Sequence, residues 1–103
     1  MLLPKTERLR SPRHLAWLRT LPCSVPGCGC DVIEAHHVRR GAGVGLKPSD
    51  RNCAPLCVEH HAEGHVIGWR TFEIRHELNL AAIAARLWME STHQPELLSG
   101  KVA

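Results

Sequence analysis

The spacing of apolar residues near the start of the chain predicts a short helix. Ser11 is a favourable N-cap because its hydroxyl can accept a bond from a free helical amide, and Pro12 is tolerated at the first helical position. We predict this helix over residues 11–21, because apolar residues recur at helical spacing and a proline follows. Its polar residues Arg13 and His14 are expected to face solvent.

A β-hairpin is predicted in the middle of the chain. Residues Asp31–Val38 alternate between apolar and polar side chains, and Cys53–Leu56 is predicted as the return strand, with a glycine-containing loop over Arg39–Asp50. Successive strand side chains point to opposite faces of a sheet, so His36 and His37 cannot serve one metal in the same way. We expect one of them to bind a metal while the other acts beside it.

Three further helices are predicted in the second half, where apolar residues recur every three or four positions. They cover Val58–Val66 with a stop at Gly68, Trp69–His76, and Leu80–Met89 with Asn79 as its cap. The whole pattern predicts an α+β fold in a single domain over residues 1–103. Its parts are a loose arm (1–10), the first helix (11–21), a knuckle and core (22–67), C-terminal helices (68–90) and a mobile tail (91–103).

Composition narrows the classes of function. With 103 residues, 44% hydrophobic and 4% aromatic, the chain fits one small core built mainly from aliphatic side chains, with Trp69 and Trp88 inside it. No apolar run is long enough for a signal peptide or a membrane span, so we expect a cytoplasmic protein without a membrane partner. The net charge of +3 favours a polyanionic partner, because most of the basic residues are Arg, whose planar side chain suits phosphate.

The cysteines predict a metal site. Five cysteines interleaved with histidines favour metal binding over disulfides in a reducing compartment. Cys23 and Cys28 enclose a Pro-Gly turn that can bring two sulfurs together, and Cys57 with His60 repeats the short spacing at the start of a helix. These four residues predict a closed tetrahedral site for a structural Zn²⁺. Buried free cysteines are the alternative, and Cys30 is an alternative ligand to Cys28.

A second metal-binding pattern follows. His61 and His65 are four residues apart on a predicted helix, so both imidazoles lie on one face and can share a cation in an open site. Phosphodiester hydrolysis needs a Lewis acid at the phosphate oxygens and a base that activates water. Of His36 and His37, one could be a third ligand and the other the base, a role that suits an imidazole side chain. Glu34 shares the strand face of His36, where it could orient a histidine or a water ligand.

The spacing of these residues resembles that of the HNH endonucleases, also called ββα-metal nucleases. Adjacent histidines are followed by an asparagine 15 residues after the second, a histidine nine residues further on and another four beyond. The segments CSVPGC, EAHHVR, KPSDRN and PLCVEHH are similar to those of a compact, zinc-stabilised HNH subgroup of phage and bacterial genomes. The resemblance covers about Leu21–Phe72, is close to the nuclease domains of the DNase colicins, and implies hydrolysis of DNA.

The resemblance implies a role for each member of this set. His36, His61 and His65 would hold one divalent cation, and His37 would be the general base. Asn52 would fix the loop that faces the base. The similar subgroup favours Cys28 over Cys30 as the zinc ligand, and the colicin domains have a glutamate near the site, as Glu34 is here.

The sequence also suggests which cations the site suits and which residues contact the substrate. An all-imidazole site suits Zn²⁺, Ni²⁺, Co²⁺ or Mn²⁺, whereas the family commonly works with Mg²⁺ or Mn²⁺. The glycine-containing loop lacks the ending of a nucleotide-binding P-loop. We expect it to wrap near the site, so that Arg39, Arg40 and Lys47 reach the phosphates of double-stranded DNA; a basic loop that only contacts solvent is the alternative.

Two other functions stay open at this level. One is a binding module whose zinc knuckle and basic surface dock DNA or a protein of a phage or recombination complex without cutting. The other is an RNase or a structure-specific nuclease with the same catalytic residues. The complete set of histidines and the asparagine favours an enzyme over the module. Sequence specificity would come from DNA shape or a partner.

Overall fold

The computed structural model describes residues 10–38 and 49–91. The elements in chain order are α1 (Pro12–Leu18), β1 (Ile33–His37), β2 (Cys53–Cys57), α2 (Val58–Ile67), α3 (Trp69–His76) and α4 (Leu80–Glu90). The predicted α+β class is confirmed. Nearly all of the predicted arm and tail, and of the basic loop with Arg39, Arg40 and Lys47, lies outside the described residues.

The two strands form an antiparallel hairpin from which the site is built. In its register Ile33 pairs with Cys57, and His37 pairs with Cys53. Every residue of β2 is buried, whereas β1 exposes part of its surface. α2 begins at the residue that follows β2, so the end of the strand and the first turn of the helix are adjacent. This strand–strand–helix unit brings residues of the hairpin and of α2 onto common surfaces.

The predicted helix caps are confirmed. The hydroxyl of Ser11 accepts a hydrogen bond of 3.1 Å from the amide of His14, and Asn79 Oδ1 accepts one of 3.0 Å from the amide of Ala82. Gly68 has φ of 90°, a conformation that residues with a side chain rarely adopt, so it ends α2 and lets α3 start in a new direction. The helix limits agree with prediction to within a few residues.

The core lies on both sides of β2. One cluster of buried residues combines Leu56 of β2 with Phe72 of α3 and Leu80 of α4. A second cluster joins Leu18 of α1 and Leu87 of α4. β2 therefore separates the two clusters, which explains why all of its side chains are buried, including Pro55. Within the described residues, no helix is long and apolar enough to cross a membrane.

The prediction that His14 faces solvent is wrong. Its side chain is fully buried, and its ring meets that of Trp88 edge-on at a centroid distance of 4.9 Å. His14 and Leu18 are the buried residues of α1, four positions apart on the side that packs against the rest of the protein, so His14 is enclosed while the opposite side stays exposed. Arg13 is exposed as predicted, and Trp88 lies in the core as predicted.

Candidate functional site

Four predicted metal ligands converge beside the start of α2. The donor atoms of Cys23, Cys28, Cys57 and His60 all lie within 4.8 Å of one another. The Cys28 and Cys57 sulfurs are 3.6 Å apart, and His60 Nδ1 is 3.2 Å from the Cys57 sulfur. A tetrahedral zinc ion with ordinary bond lengths spaces its ligand atoms by about 3.5–3.8 Å. This Cys/His cluster could therefore hold a metal such as zinc.

The hairpin holds this cluster in place through backbone contacts. Ser24 donates two hydrogen bonds to the carbonyl of Pro55, from its amide at 2.9 Å and from its hydroxyl at 2.7 Å. The amide of Cys57 donates to the sulfur of Cys23 at 3.4 Å. Proline has no amide donor, so its carbonyl is the backbone group through which this strand position binds the knuckle turn.

The structure separates the two surplus cysteines from the cluster. Cys30 directs its sulfur toward the carbonyl of Val32 at 3.9 Å and is not one of the four converging residues. The geometry therefore favours Cys28 as the fourth ligand. Cys53 is fully buried in the second core cluster.

Burial affects the protonation of the Cys23 thiol. Burial, assisted by the nearby Cys57 thiol, raises the pKa of Cys23 to about 11, although backbone hydrogen bonds from Cys57 and Val25 act in the opposite direction. A neutral thiol is a poor metal ligand, whereas a cation among the sulfurs would favour the thiolate form. Metal binding here is therefore coupled to the release of protons.

Three histidines gather on the other side of the hairpin. His36 of β1 faces His61 and His65 of α2, with ring centroids 5.1 Å and 6.4 Å away, and the two helical rings are 4.9 Å apart. They line a cleft of about 880 Å³ whose walls also include His37, Trp69 and Arg70. The residues predicted to share a cation are thus neighbours, although His36 is 25 positions from His61 and 29 from His65 along the chain.

The donors of this trio are less tightly gathered than those of the knuckle. Among the described residues, the groups whose donor atoms all lie within 4.8 Å of one another do not include His36 with His61 and His65. A shared cation would therefore require the rings to turn toward one another. The open cleft leaves room for such rotation and for further ligands.

His36 is held in a neutral state. It is 6% exposed, and Trp69 stacks on its ring at a centroid distance of 3.9 Å. Burial first, and then charge repulsion from the neighbouring imidazoles of His61, His65 and His37, lower the pKa of His36 to about 4. A neutral imidazole keeps a lone pair available for a cation at neutral pH.

Glu34 orients one of the helical histidines. Its Oε1 lies 2.6 Å from His61 Nδ1. An ionised carboxylate can only accept, so His61 donates its Nδ1 hydrogen and leaves Nε2 as its basic nitrogen. Such carboxylate–imidazole pairs commonly fix the orientation of metal-binding histidines. The predicted contact of Glu34 with a site histidine is present.

His37 has a partner that the sequence did not reveal. Its Nε2 lies 2.9 Å from Oδ1 of Asp50, whose other oxygen accepts a 2.7 Å hydrogen bond from the amide of Ser11. Burial acts to raise the pKa of Asp50, but these two hydrogen bonds, with the positive charges of His37 and Arg10, outweigh it and lower the pKa below its ordinary value. The sequence feature that could have indicated this partner is the aspartate of the segment KPSDRN.

Asn52 holds the segment that carries Asp50. Its carbonyl accepts a 2.7 Å bond from the amide of Val38, and its own amide donates to the carbonyl of Ser49 at 3.0 Å. Its side chain reaches Ser49 Oγ only at 3.5 Å, which is long for a hydrogen bond. Asn52 therefore closes the end of the loop beside His37, mainly through its backbone.

A third polar cluster borders the knuckle. The carboxylate of Glu63 accepts bonds from His76 at 2.7 Å and Arg75 at 2.8 Å, and the donors of His60, Glu63 and His76 lie within 4.8 Å of one another. The hydrogen bonds from His76 and then from Arg75 lower the pKa of Glu63. These contacts hold α3 against α2 beside His60, which also belongs to the Cys/His cluster. They were not predicted, because they join two separate helices.

Fold and site together define a small α+β protein with a Cys/His cluster able to hold a metal ion such as zinc. The chain belongs to the family described as a protein of unknown function, DUF968, whose model matches residues 1–91. It is also similar to YdfU of Escherichia coli strain K12, described as an uncharacterized protein, with 36% identity over 67 residues. That match covers 63% of this chain and 19% of YdfU. No solved structure matches the chain.

Proposed function

We propose that this protein is a metal-dependent endonuclease of the HNH type that hydrolyses phosphodiester bonds in double-stranded DNA. The observation that carries the proposal is the convergence of His36, His37, His61 and His65 on one cleft beside a strand–strand–helix unit. The pair His36 and His37 lies far along the chain from the pair His61 and His65. Their spacing is that of the HNH endonucleases, which the sequence resembles. A chance set of surface histidines has no reason to line a common cleft.

Two metal centres with different duties are part of the proposal. The knuckle supplies three sulfurs and one imidazole, which together complete a tetrahedral shell and leave no position for substrate. We assign it to a structural Zn²⁺. The cleft trio of His36, His61 and His65 would hold a catalytic divalent cation, for which Mg²⁺, Mn²⁺, Ni²⁺ and Zn²⁺ are the candidates. Bound there, the cation supplies Lewis-acid stabilisation of the phosphate and of the leaving 3′ oxygen.

The remaining residues of the cleft prepare the reaction. His37, with 30% of its side chain exposed, takes a proton from the attacking water. Glu34 keeps His61 in one orientation through its 2.6 Å contact. The stacked ring of Trp69 covers one face of His36 and keeps bulk water from it. Asn52 closes the loop end beside the base.

DNA would meet the cleft through its phosphates. Arg70 lines the cleft beside the histidines. Arg39, Arg40 and Lys47 belong to the loop that joins the two strands, and in this proposal they contact neighbouring phosphates. Phosphate contacts carry no base information, so cleavage without strong sequence preference is expected. Five cysteines interleaved with histidines favour metal binding over disulfides, which supports a reducing compartment, and we propose the cytoplasm.

The test is cleavage of supercoiled plasmid by purified protein with Mg²⁺, Mn²⁺, Ni²⁺ or Zn²⁺ in separate reactions. Nicked or linear product that disappears with chelator is expected. His37→Ala, purified in the same way, is the control for a contaminating nuclease, and it should leave the plasmid intact. DNA binding without cutting under every cation would instead support the non-catalytic module. Cleavage of RNA or of branched DNA in preference to plasmid would change the substrate but keep the chemistry.

A further inference from the structure

We propose that Asp50 is the positioning residue of His37, and that it holds this imidazole with its basic Nδ1 turned toward the reacting water. The inference rests on the proposed nuclease function for its kinetic consequence. Its structural part, the orientation and tautomer of His37, can be tested without activity.

The first step is the contact between the two side chains. Asp50 Oδ1 lies 2.9 Å from His37 Nε2, and the Asp50 side chain is 5% exposed while that of His37 is 30% exposed. An ionised carboxylate only accepts hydrogen bonds, so Nε2 must carry the hydrogen. Nδ1 then holds the free lone pair and can accept a proton. A carboxylate that fixes the tautomer of a catalytic histidine in this manner has a large effect on the rate.

The second step is what holds the carboxylate itself. Asp50 Oδ2 accepts a 2.7 Å bond from the amide of Ser11, a residue 39 positions away. Ser11 is fully buried and caps α1, which packs against both strands. Since each oxygen of Asp50 is bound to a different element, the carboxylate cannot rotate without breaking one contact. The loop, the first strand and α1 thus define one orientation of His37.

A metal site is the alternative use of the same residues. The donors of His37, Asp50 and Cys53 lie within 4.8 Å of one another. The sulfur of Cys53 is fully buried among apolar residues of the second core cluster, where a thiolate would be costly. The bond from the Ser11 amide also occupies one oxygen of Asp50. We therefore favour a histidine–carboxylate pair, and metal content decides between the two.

Asp50→Asn is the most informative variant. The amide oxygen of the new side chain is its only acceptor and must face the Ser11 amide, so its NH₂ group faces His37 Nε2. His37 then has to accept at Nε2 and carry its hydrogen on Nδ1, which is the wrong tautomer for a base. We expect kcat to fall by about 10²-fold with KM changed less than about twofold. Asp31→Asn, at an exposed position outside the cleft, is the matched control and should have wild-type kinetics.

Two further measurements separate orientation from folding. In a double-mutant cycle, followed as residual nicking at raised enzyme concentration, Asp50→Asn should cost nothing more in a His37→Ala background, because it acts only through His37. Asn79→Ala removes the cap of α4, at a residue outside the contacts of His37 and Asp50, so it should lower the melting temperature while kcat stays near wild type. Full additivity of Asp50→Asn and His37→Ala would overturn the proposal.

The tautomer of His37 is read directly from ¹⁵N shifts of the histidine ring in NMR spectra. The wild type should show hydrogen on Nε2, and Asp50→Asn should show it on Nδ1. This readout is valid even if the wild type proves unable to cut DNA, in which case the proposed function fails while the positioning role stands. An unchanged tautomer in the variant, or loss of one metal ion per chain by elemental analysis, would contradict the role assigned to Asp50.

Discussion

Trp69 lies nearly flat against His36, with ring centroids 3.9 Å apart and an angle of 30° between the planes. The indole reaches this position because it passes directly over Gly64 of α2, where a Cβ atom would overlap the ring. Trp69 also meets His65 and Phe72 edge-on. One aromatic side chain at the start of α3 therefore joins the cleft histidines to the core.

Gly64→Ala should displace Trp69 from His36. The added methyl overlaps the indole, and overpacking of this kind commonly destabilises by about 1–3 kcal/mol, which exceeds the gain of about 1 kcal/mol from replacing a helical glycine. Denaturant unfolding of the variant gives the net value. In a Trp69→Ala background the overlap is gone, so Gly64→Ala should become neutral or stabilising. The same loss of stability in both backgrounds would show that the indole is not the obstacle.

His60 and His61 are neighbours that we assign to different metal centres, so their alanine variants should fail differently. His60 Nδ1 faces the Cys57 sulfur at 3.2 Å, whereas His61 Nδ1 faces Glu34 at 2.6 Å. His60→Ala should lose zinc and unfold, since a structural zinc contributes folding free energy on the order of 10 kcal/mol. His61→Ala should keep both zinc and fold while cleavage stops.

Elemental analysis, thermal melting and plasmid nicking measure these three properties for each variant. Equal zinc content and equal melting temperature in His60→Ala and wild type would remove His60 from the knuckle. Unfolding of His61→Ala would show that its ring supports the fold rather than the reaction.

His37→Ala should abolish cleavage with little change in folding or DNA affinity. A general base contributes on the order of 10²–10⁴-fold to the rate, and this side chain is assigned to neither metal. Plasmid nicking gives the rate, and fluorescence anisotropy with a labelled duplex gives the affinity. Activity above a few per cent of wild type would exclude His37 as the base.

Arg70→Ala should weaken DNA binding almost equally across sequences. Arg70 lines the cleft, so loss of one phosphate contact is expected to reduce the slope of log affinity against log salt by about 1. Arg86→Ala is the matched control, because Arg86 lies on α4, is exposed and pairs with Glu90 at 3.3 Å. Identical salt slopes for Arg70→Ala and the control would place the bound DNA elsewhere.

The sequence alone determined the features that depend on neighbouring residues. The caps at Ser11 and Asn79 were predictable, because a short polar side chain before an apolar periodic segment satisfies free helical amides. The hairpin was predictable from alternation, and the knuckle from short Cys and His spacings that a turn can close. The proximity of His36 to His61 and His65 was predictable only through the resemblance of their spacing to that of the HNH endonucleases.

Only the tertiary structure decided which polar residues are enclosed and what they meet. His14 is buried because α1 packs against other elements, which its own sequence cannot disclose. The pairing of Asp50 with His37 and Ser11 joins residues 13 and 39 positions apart, and the stacking of Trp69 on His36 depends on the direction in which α3 leaves Gly68. Periodicity assigns a side chain to one face of its own element, whereas burial and hydrogen bonding depend on the element that covers that face.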